Sequence, residues 1–207
     1  MIGADTLKAY VERQIASVVP GFSEPITVPL AAVEEAIARI DRNVRMQHGG
    51  DRGFDPLVSG QYATFLYYLA FELRSERTAA THIFLLNKAI NGIDLFYEVS
   101  MPDYFLIGHT VGMVFAKAKY GNYCVFHQGC TVGRILQDRP VLGDGVVIYP
   151  GGAIIGRCHI GPNTVISAGV QVINTDTPGN CIVFQGERGR PVFKPITEQF
   201  CARYYRL

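Results

Sequence analysis

The chain has 207 residues, 19 basic and 18 acidic side chains, a formal net charge of +1, and 18% charged against 48% hydrophobic residues. That balance is too apolar for a disordered chain and holds no basic excess for nucleic acid. No apolar run nears the ~20 residues of a membrane span, so neither a nucleic-acid nor a membrane partner is expected. The five cysteines are scattered and lack a CxxC pair, and the N-terminus lacks a signal layout, which together point to a reduced, cytoplasmic compartment. Glycine is enriched, with 22 residues against a usual share of roughly 7%. Six precede Asn91 and the other 16 follow it.

Residues 1–92 read as a helical domain. Leu7, Val11, Ile15 and Val18 recur at helical spacing, with Asp5 as N-cap. A second helix opens at Pro29 and carries Leu30, Val33, Ile37, Ile40 and Val44 on one face. Residues 48–60, rich in Gly, Asp and Pro, form a loop. The segment QYATFLYYLAFELRSE is apolar on most sides and is expected to be buried. The last helix, THIFLLNKAING, ends at Gly92.

Beyond residue 92 the period changes. Leu142, Ile148, Ile154, Ile160, Ile166 and Val172 stand six apart, as do Val114, Tyr120, Phe126 and Val132. Met101, Ile107 and Met113 form an earlier run offset by one. Helices repeat at 3.6 residues and strands at 2, so a strict six means a repeated short strand and turn. The fifth residue of each block, counting the anchor as the first, is small or β-branched: Ala118, Cys124, Cys130, Val146, Gly152, Cys158, Thr164 and Val170. A large anchor beside a small partner packs a narrow prism and gives Cys124, Cys130 and Cys158 a core role. Glycine and asparagine near the block corners, such as Gly121, Asn122, Gly143, Gly161 and Asn163, suit tight turns. The fold class is α+β: a helical domain (1–92), a left-handed parallel β-helix of hexapeptide repeats (93–175), and an irregular C-terminal tail (176–207). Residues 133–141 break the register and are read as a loop projecting from a corner.

This order of parts resembles the serine acetyltransferase family of hexapeptide-repeat acyltransferases. Asp94 and His109 stand 15 residues apart, as an Asp and a catalytic His do in the family, and Gly112-Met113-Val114-Phe115 follows. Gln128 precedes Thr131-Val132-Gly133, and Asp55-Pro56 stands ahead of the third helix. The resemblance implies an acetyl-CoA-dependent O-acetyltransferase assembled as a homotrimer or a dimer of trimers, with sites at clefts between neighbouring β-helices. It implies His109 and Asp94 as catalytic residues. Asp55, Gln128 and Arg139 would bind the acceptor, and Gly151, Ala168 and Gly169 would lie along the coenzyme. Arg188, Arg190 and Lys194 form a small basic group suited to the coenzyme phosphates. Acetyl-CoA is the co-substrate and no metal is expected.

Three positions depart from the family pattern. Gly108 stands where the family keeps an acid, the loop reads Asp138-Arg139-Pro140 without its His, and residues 184–188 replace a conventional C-terminal turn. L-serine is the leading acceptor; a sugar or nucleotide-sugar hydroxyl is the first alternative, and a non-catalytic β-helix interaction subunit the second. The chemistry needs a base, because an alcohol attacks a thioester poorly near neutral pH. His109 has a suitable intrinsic pKa, and a carboxylate such as Asp94 would steady the imidazolium. His127 lies one coil length from His109. Counted in sixes, the two fall at different places in their repeats, so His127 and His159 are read as surface or interface residues.

Overall fold

The computed structural model describes residues 2–207 and divides into two compact units, Met1–Glu98 and Val99–Leu207. The first holds α1 (Ala4–Val18), α2 (Leu30–Arg45), α3 (Ser59–Glu72), α4 (Arg77–Asn91) and the short strand β1 (Ile93–Leu95). Leu7, Val11 and Ile15 of α1 are buried, as their spacing requires. The helix starts one residue before Asp5: Gly3 occupies the cap, and Asp5 lies in the first turn without bonding an end N–H. Its charge still opposes the helix dipole favourably there. Pro29, at φ −60°, stands just outside α2 and presets its entry.

Helix α3 is the centre of this unit. Tyr62 to Ala70 are all buried, because α2 and α4 pack on both sides of it. Its neighbours are tied by polar contacts that specify the packing: Asn87 Nδ2 donates to Ala63 O at 2.9 Å, and Arg39 pairs with Glu72 at 2.8 Å. Gly92, at φ 65°, ends α4 in the left-handed conformation. No helix among the described residues is long and apolar enough to cross a membrane.

The second unit is a parallel β-solenoid. In chain order its strands are β2 (Phe105–Ile107), β3 (Met113–Phe115), β4 (Cys124–Phe126), β5 (Thr131–Gly133), β6 (Val141–Leu142), β7 (Val147–Ile148), β8 (Ala153–Ile155), β9 (His159–Ile160), β10 (Thr164–Ile166), β11 (Gln171–Ile173), β12 (Cys181–Gln185) and β13 (Pro191–Pro195). One face stacks β2, β4, β7, β10 and β12; a second stacks β3, β5, β8 and β11; a third pairs β6 with β9. The registers line up Ile107, Phe126, Ile148, Ile166 and Val183 in one file. Phe115, Val132, Ile154 and Val172 form another. All these side chains are buried. Each contributes roughly 1.5–3 kcal/mol, the scale for burying a large apolar side chain.

Besides the loop at 133–141, the six-residue count slips at the first corner. Val114 is 44% exposed, while Met113 and Phe115 on either side are buried. The reason is a longer first corner. Residues 108–112 span a bend that residues 127–129, 149–151 and 167–169 cross in the coils above. Two additional residues move the anchor after Ile107 from Met113 to Phe115, and one residue fewer between Phe115 and Tyr120 brings back the later register, so Val114, six before Tyr120, is left exposed.

The last 32 residues are more regular than expected. Strand β12 continues the first face by pairing with β10, and β13 returns antiparallel along it. A 3-10 turn (Phe200–Arg203) follows. Asn163 holds this end: its Nδ2 donates to Glu198 O at 2.9 Å, and its Oδ1 accepts from Phe200 N at 2.9 Å. All five cysteines are free and buried.

Candidate active site

The corner that follows the first face holds the candidate residues His109 and Gln128. A ladder of main-chain bonds sets its geometry: Gly108 N to Phe126 O at 2.9 Å, His127 N to Ile148 O at 3.0 Å, Tyr149 N to Ile166 O at 3.0 Å, and Ser167 N to Val183 O at 3.1 Å. Gly108, His127, Tyr149 and Ser167 therefore stand in one file, each directly after a buried anchor. His109 comes next after Gly108, in the enlarged corner, and its side chain is exposed. That is where a base must be if it is to meet a diffusing substrate.

His127 is the neighbour of His109. Its ring lies parallel to that of Tyr149, with centroids 5.1 Å apart, and Nε2 is 3.3 Å from the Tyr204 hydroxyl. Burial, and secondarily the charge of His109, hold its pKa below the ordinary histidine value, so it is neutral at neutral pH. Tyr204 arrives from the C-terminal segment and also donates to Tyr149 Oη at 3.5 Å. Burial and the Tyr149 hydroxyl push the Tyr204 phenol upward, so it stays protonated. A Cβ placed on Gly108 would come within 3.3 Å of His127 Nδ1, so a side chain at 108 would press on the ring by a few tenths of an ångström.

Beyond this file the corner is lined by main chain. Gln128 is exposed, and its carbonyl accepts from Gly151 N at 2.9 Å. Gly151, Ala168 and Gly169 are exposed along the same edge. Gly151 and Gly169 have φ near +70°, as does Gly129 beneath them. That conformation suits glycine and leaves these positions of the edge as bare backbone. Arg139 is exposed in the projecting loop, which is closed by reciprocal main-chain bonds between Ile135 and Asp138. Lys194 lies on β13 opposite Ile182 and is exposed. Arg190 lines a cleft of about 280 Å³ with Gln171, Ile173 and Gln185, and Lys194 is outside that lining.

Asp94 and Asp55 belong to the first unit. Asp94 sits on β1 between buried Ile93 and Leu95, and its Oδ2 pairs with Lys88 Nζ at 2.6 Å. Asp55 Oδ1 accepts from Leu57 N at 2.9 Å, in the turn that leads into α3. It lines a cleft of about 580 Å³ together with Tyr10, Arg52, Phe54 and Gln61. Among the described residues, no cluster of three or more His, Cys, Asp or Glu side chains is arranged to hold a metal ion.

Comparison with known proteins adds a second line of observation. Over 147 residues the chain is 29% identical to a serine acetyltransferase of Synechococcus elongatus, covering 69% of this chain and 57% of that protein. Over 162 residues it is 25% identical to the serine acetyltransferase of Staphylococcus xylosus, covering 68% and 75%. Among solved structures, Neisseria gonorrhoeae serine acetyltransferase aligns with a TM-score of 0.70 at 20% identity, over 95% of this chain and 82% of that one. The chain resembles serine acetyltransferases in sequence and in fold. The Brucella abortus enzyme agrees, with a TM-score of 0.71 at 18% identity over 92% and 84% of the two chains. No family model matches. The chain spans little more than half the length of the Synechococcus relative and of a putative serine acetyltransferase from Schizosaccharomyces pombe.

Two residues of the corner, Tyr149 and Tyr204, are not marked by the sequence, and His127, expected at the surface or an interface, is part-exposed beside them. The available signal was positional. His127 and Tyr149 each follow an anchor directly, as Gly108 does, and such positions stack from coil to coil. Nothing in the sequence marks Tyr204, since the path of the tail brings it there.

Proposed function

We propose that the protein is an acetyl-CoA-dependent O-acetyltransferase acting on a small hydroxyl compound, with L-serine as the first acceptor to test. The observation that carries this reading is His109, exposed in the enlarged corner beside an open strip of glycine backbone, on a solenoid similar to serine acetyltransferases. His109 Nε2 or Nδ1 takes the acceptor's hydroxyl proton as the oxygen attacks the thioester carbonyl carbon. A tetrahedral oxyanion forms, and fixed main-chain N–H groups are the natural stabilisers. It collapses by breaking the carbon–sulfur bond, and the imidazolium returns its proton to the departing thiolate. The products are the O-acetyl ester and free coenzyme A. Asp94, on its spacing, is assigned the carboxylate that steadies the imidazolium.

Asp55, Gln128 and Arg139 are assigned to the acceptor, and Gly151, Ala168, Gly169 and Lys194 to the coenzyme. A homotrimer, a dimer of trimers among its higher assemblies, and a cytoplasmic location belong to the same proposal. Gly108 favours a second acceptor class, since a site without an acid there offers no negative partner to an ammonium group; a sugar hydroxyl is that alternative. The test is direct. Acetyl-CoA with L-serine should release coenzyme A and yield O-acetylserine by mass spectrometry. Release with a sugar acceptor alone would move the assignment to the second class, and no release with any hydroxyl acceptor would overturn acetyl transfer.

A further inference from the structure

His127 does more than fill space beside His109. Its Nε2 faces the Tyr204 hydroxyl, and that hydroxyl's single hydrogen is directed to Tyr149 Oη. With its hydrogen so placed, Tyr204 accepts from Nε2–H, which makes His127 the Nε2-protonated tautomer. The lone pair of Nδ1 is left facing the space over Gly108. His109 follows Gly108 in the chain, so this lone pair stands next to the proposed base.

We propose that His127 Nδ1 accepts a hydrogen bond from a neutral hydroxyl on the carbon next to the one acetylated, and so selects a vicinal hydroxy compound over an amino alcohol. The proposal rests on the acetyl-transfer reading and sharpens its acceptor. An ammonium group calls for a carboxylate, whose charge it shares; a neutral imidazole supplies only a lone pair. Transfer also makes His109 cationic for a time, and a neighbouring ammonium would oppose that charge. A hydroxyl donor carries neither cost. The groups facing His127 are His109, Tyr149 and Tyr204, the last also feeling the charge of Arg203. None of the four is an acid that could pair with an ammonium ion.

Three acceptors isolate the contact. L-Serine and L-glycerate share a skeleton and differ in ammonium against hydroxyl, and 3-hydroxypropionate has neither. The wild type should acetylate L-glycerate with kcat/KM at least about tenfold above L-serine, the scale of one hydrogen bond gained or lost. His127→Phe keeps the ring on Tyr149 and removes Nδ1. It should bring L-glycerate down to the rate of 3-hydroxypropionate through the acceptor KM, with the acetyl-CoA KM unchanged. Imidazole 15N NMR of the intact protein reads the same contact without turnover. It should show a protonated Nε2 and a bare Nδ1 on His127, and L-glycerate should shift the Nδ1 resonance while 3-hydroxypropionate leaves it in place. A protonated Nδ1 in the neutral ring would overturn the proposal, as would turnover with no preference and no Nδ1 shift. An Nδ1 shift without coenzyme A release would instead sink acetyl transfer and leave the hydroxyl contact standing.

Discussion

At one corner the solenoid's coils approach so closely that only glycine fits. A Cβ on Gly121 would stand 2.4 Å from the carbonyl carbon of Gly143 and 2.6 Å from Asp144 N. Carbon atoms rest at roughly 3.5 Å or more, so Gly121→Ala must part the coils by about 1 Å. The bonds that cross there are short: Leu142 N to Lys119 O at 2.9 Å, Gly145 N to Asn122 O at 2.8 Å, and Asn122 N to Asp144 Oδ1 at 2.8 Å. Lengthened by that much they pass beyond hydrogen-bond range. Three bonds at about 1 kcal/mol each put the loss near 2–4 kcal/mol. Gly169→Ala is the control. A Cβ there meets nothing within 4 Å, and the only penalty is its φ of +71°, worth about 1–2 kcal/mol. Urea denaturation of both variants, followed by far-ultraviolet circular dichroism, measures the difference. If Gly121→Ala were no more destabilising than Gly169→Ala, the close approach of coils would not explain the glycine excess.

Asn163→Ala should cost about 2–4 kcal/mol, because it removes the bonds to Glu198 and Phe200 and leaves alanine at a φ of 53°. Hydrogen exchange at the Phe200 amide should quicken, and unchanged protection would refute the anchoring role. At Asp41, burial pushes the carboxyl pKa up, but the bonds from Arg45 and the Phe54 amide outweigh it, and the net shift is below 3.8. A depressed folded pKa contributes stability above pH 3.8 that is lost as pH falls through the folded value. Asp41→Asn should therefore flatten the urea midpoint against pH below 3.8, and an identical acid profile in the variant would contradict the pairing. The thiols of Cys124 and Cys130 are pushed up to about 12 by burial, and the thiolate is the reactive form. Ellman's reagent should label no cysteine in the native protein and all five after denaturation; rapid native labelling would contradict a core role.

The solenoid was legible because its packing repeats. Leu142, Ile148, Ile154, Ile160, Ile166 and Val172 are buried anchors in the structure, and Cys124, Cys130 and Cys158 are their small partners. Val114 is exposed because the corner before it is two residues longer and the stretch from Phe115 to Tyr120 one residue shorter, so the anchor of this one strand falls on Phe115 while the later anchors keep their places. The hairpin of β12 and β13 was missed because it pairs across a turn at residues 186–190 that no periodicity announces. His109 is proposed from a family resemblance in which its spacing to Asp94 takes part, and both lie in one short stretch. Its companions have no such mark: Tyr149 and Tyr204 are 55 residues apart, and they meet at His127 only after the coils have stacked and the tail has folded back. The same stacking sets His127 Nδ1 against the position where a side chain on Gly108 would begin.

The most direct test of acetyl transfer at this corner is His109→Ala, assayed by coenzyme A release from acetyl-CoA with the best acceptor. A positioned general base contributes about 10²–10⁴ in rate, so kcat should fall by that factor, roughly 3–5.5 kcal/mol in barrier. The urea midpoint should not move, because the side chain is exposed. An unchanged kcat in a folded His109→Ala protein would contradict the account.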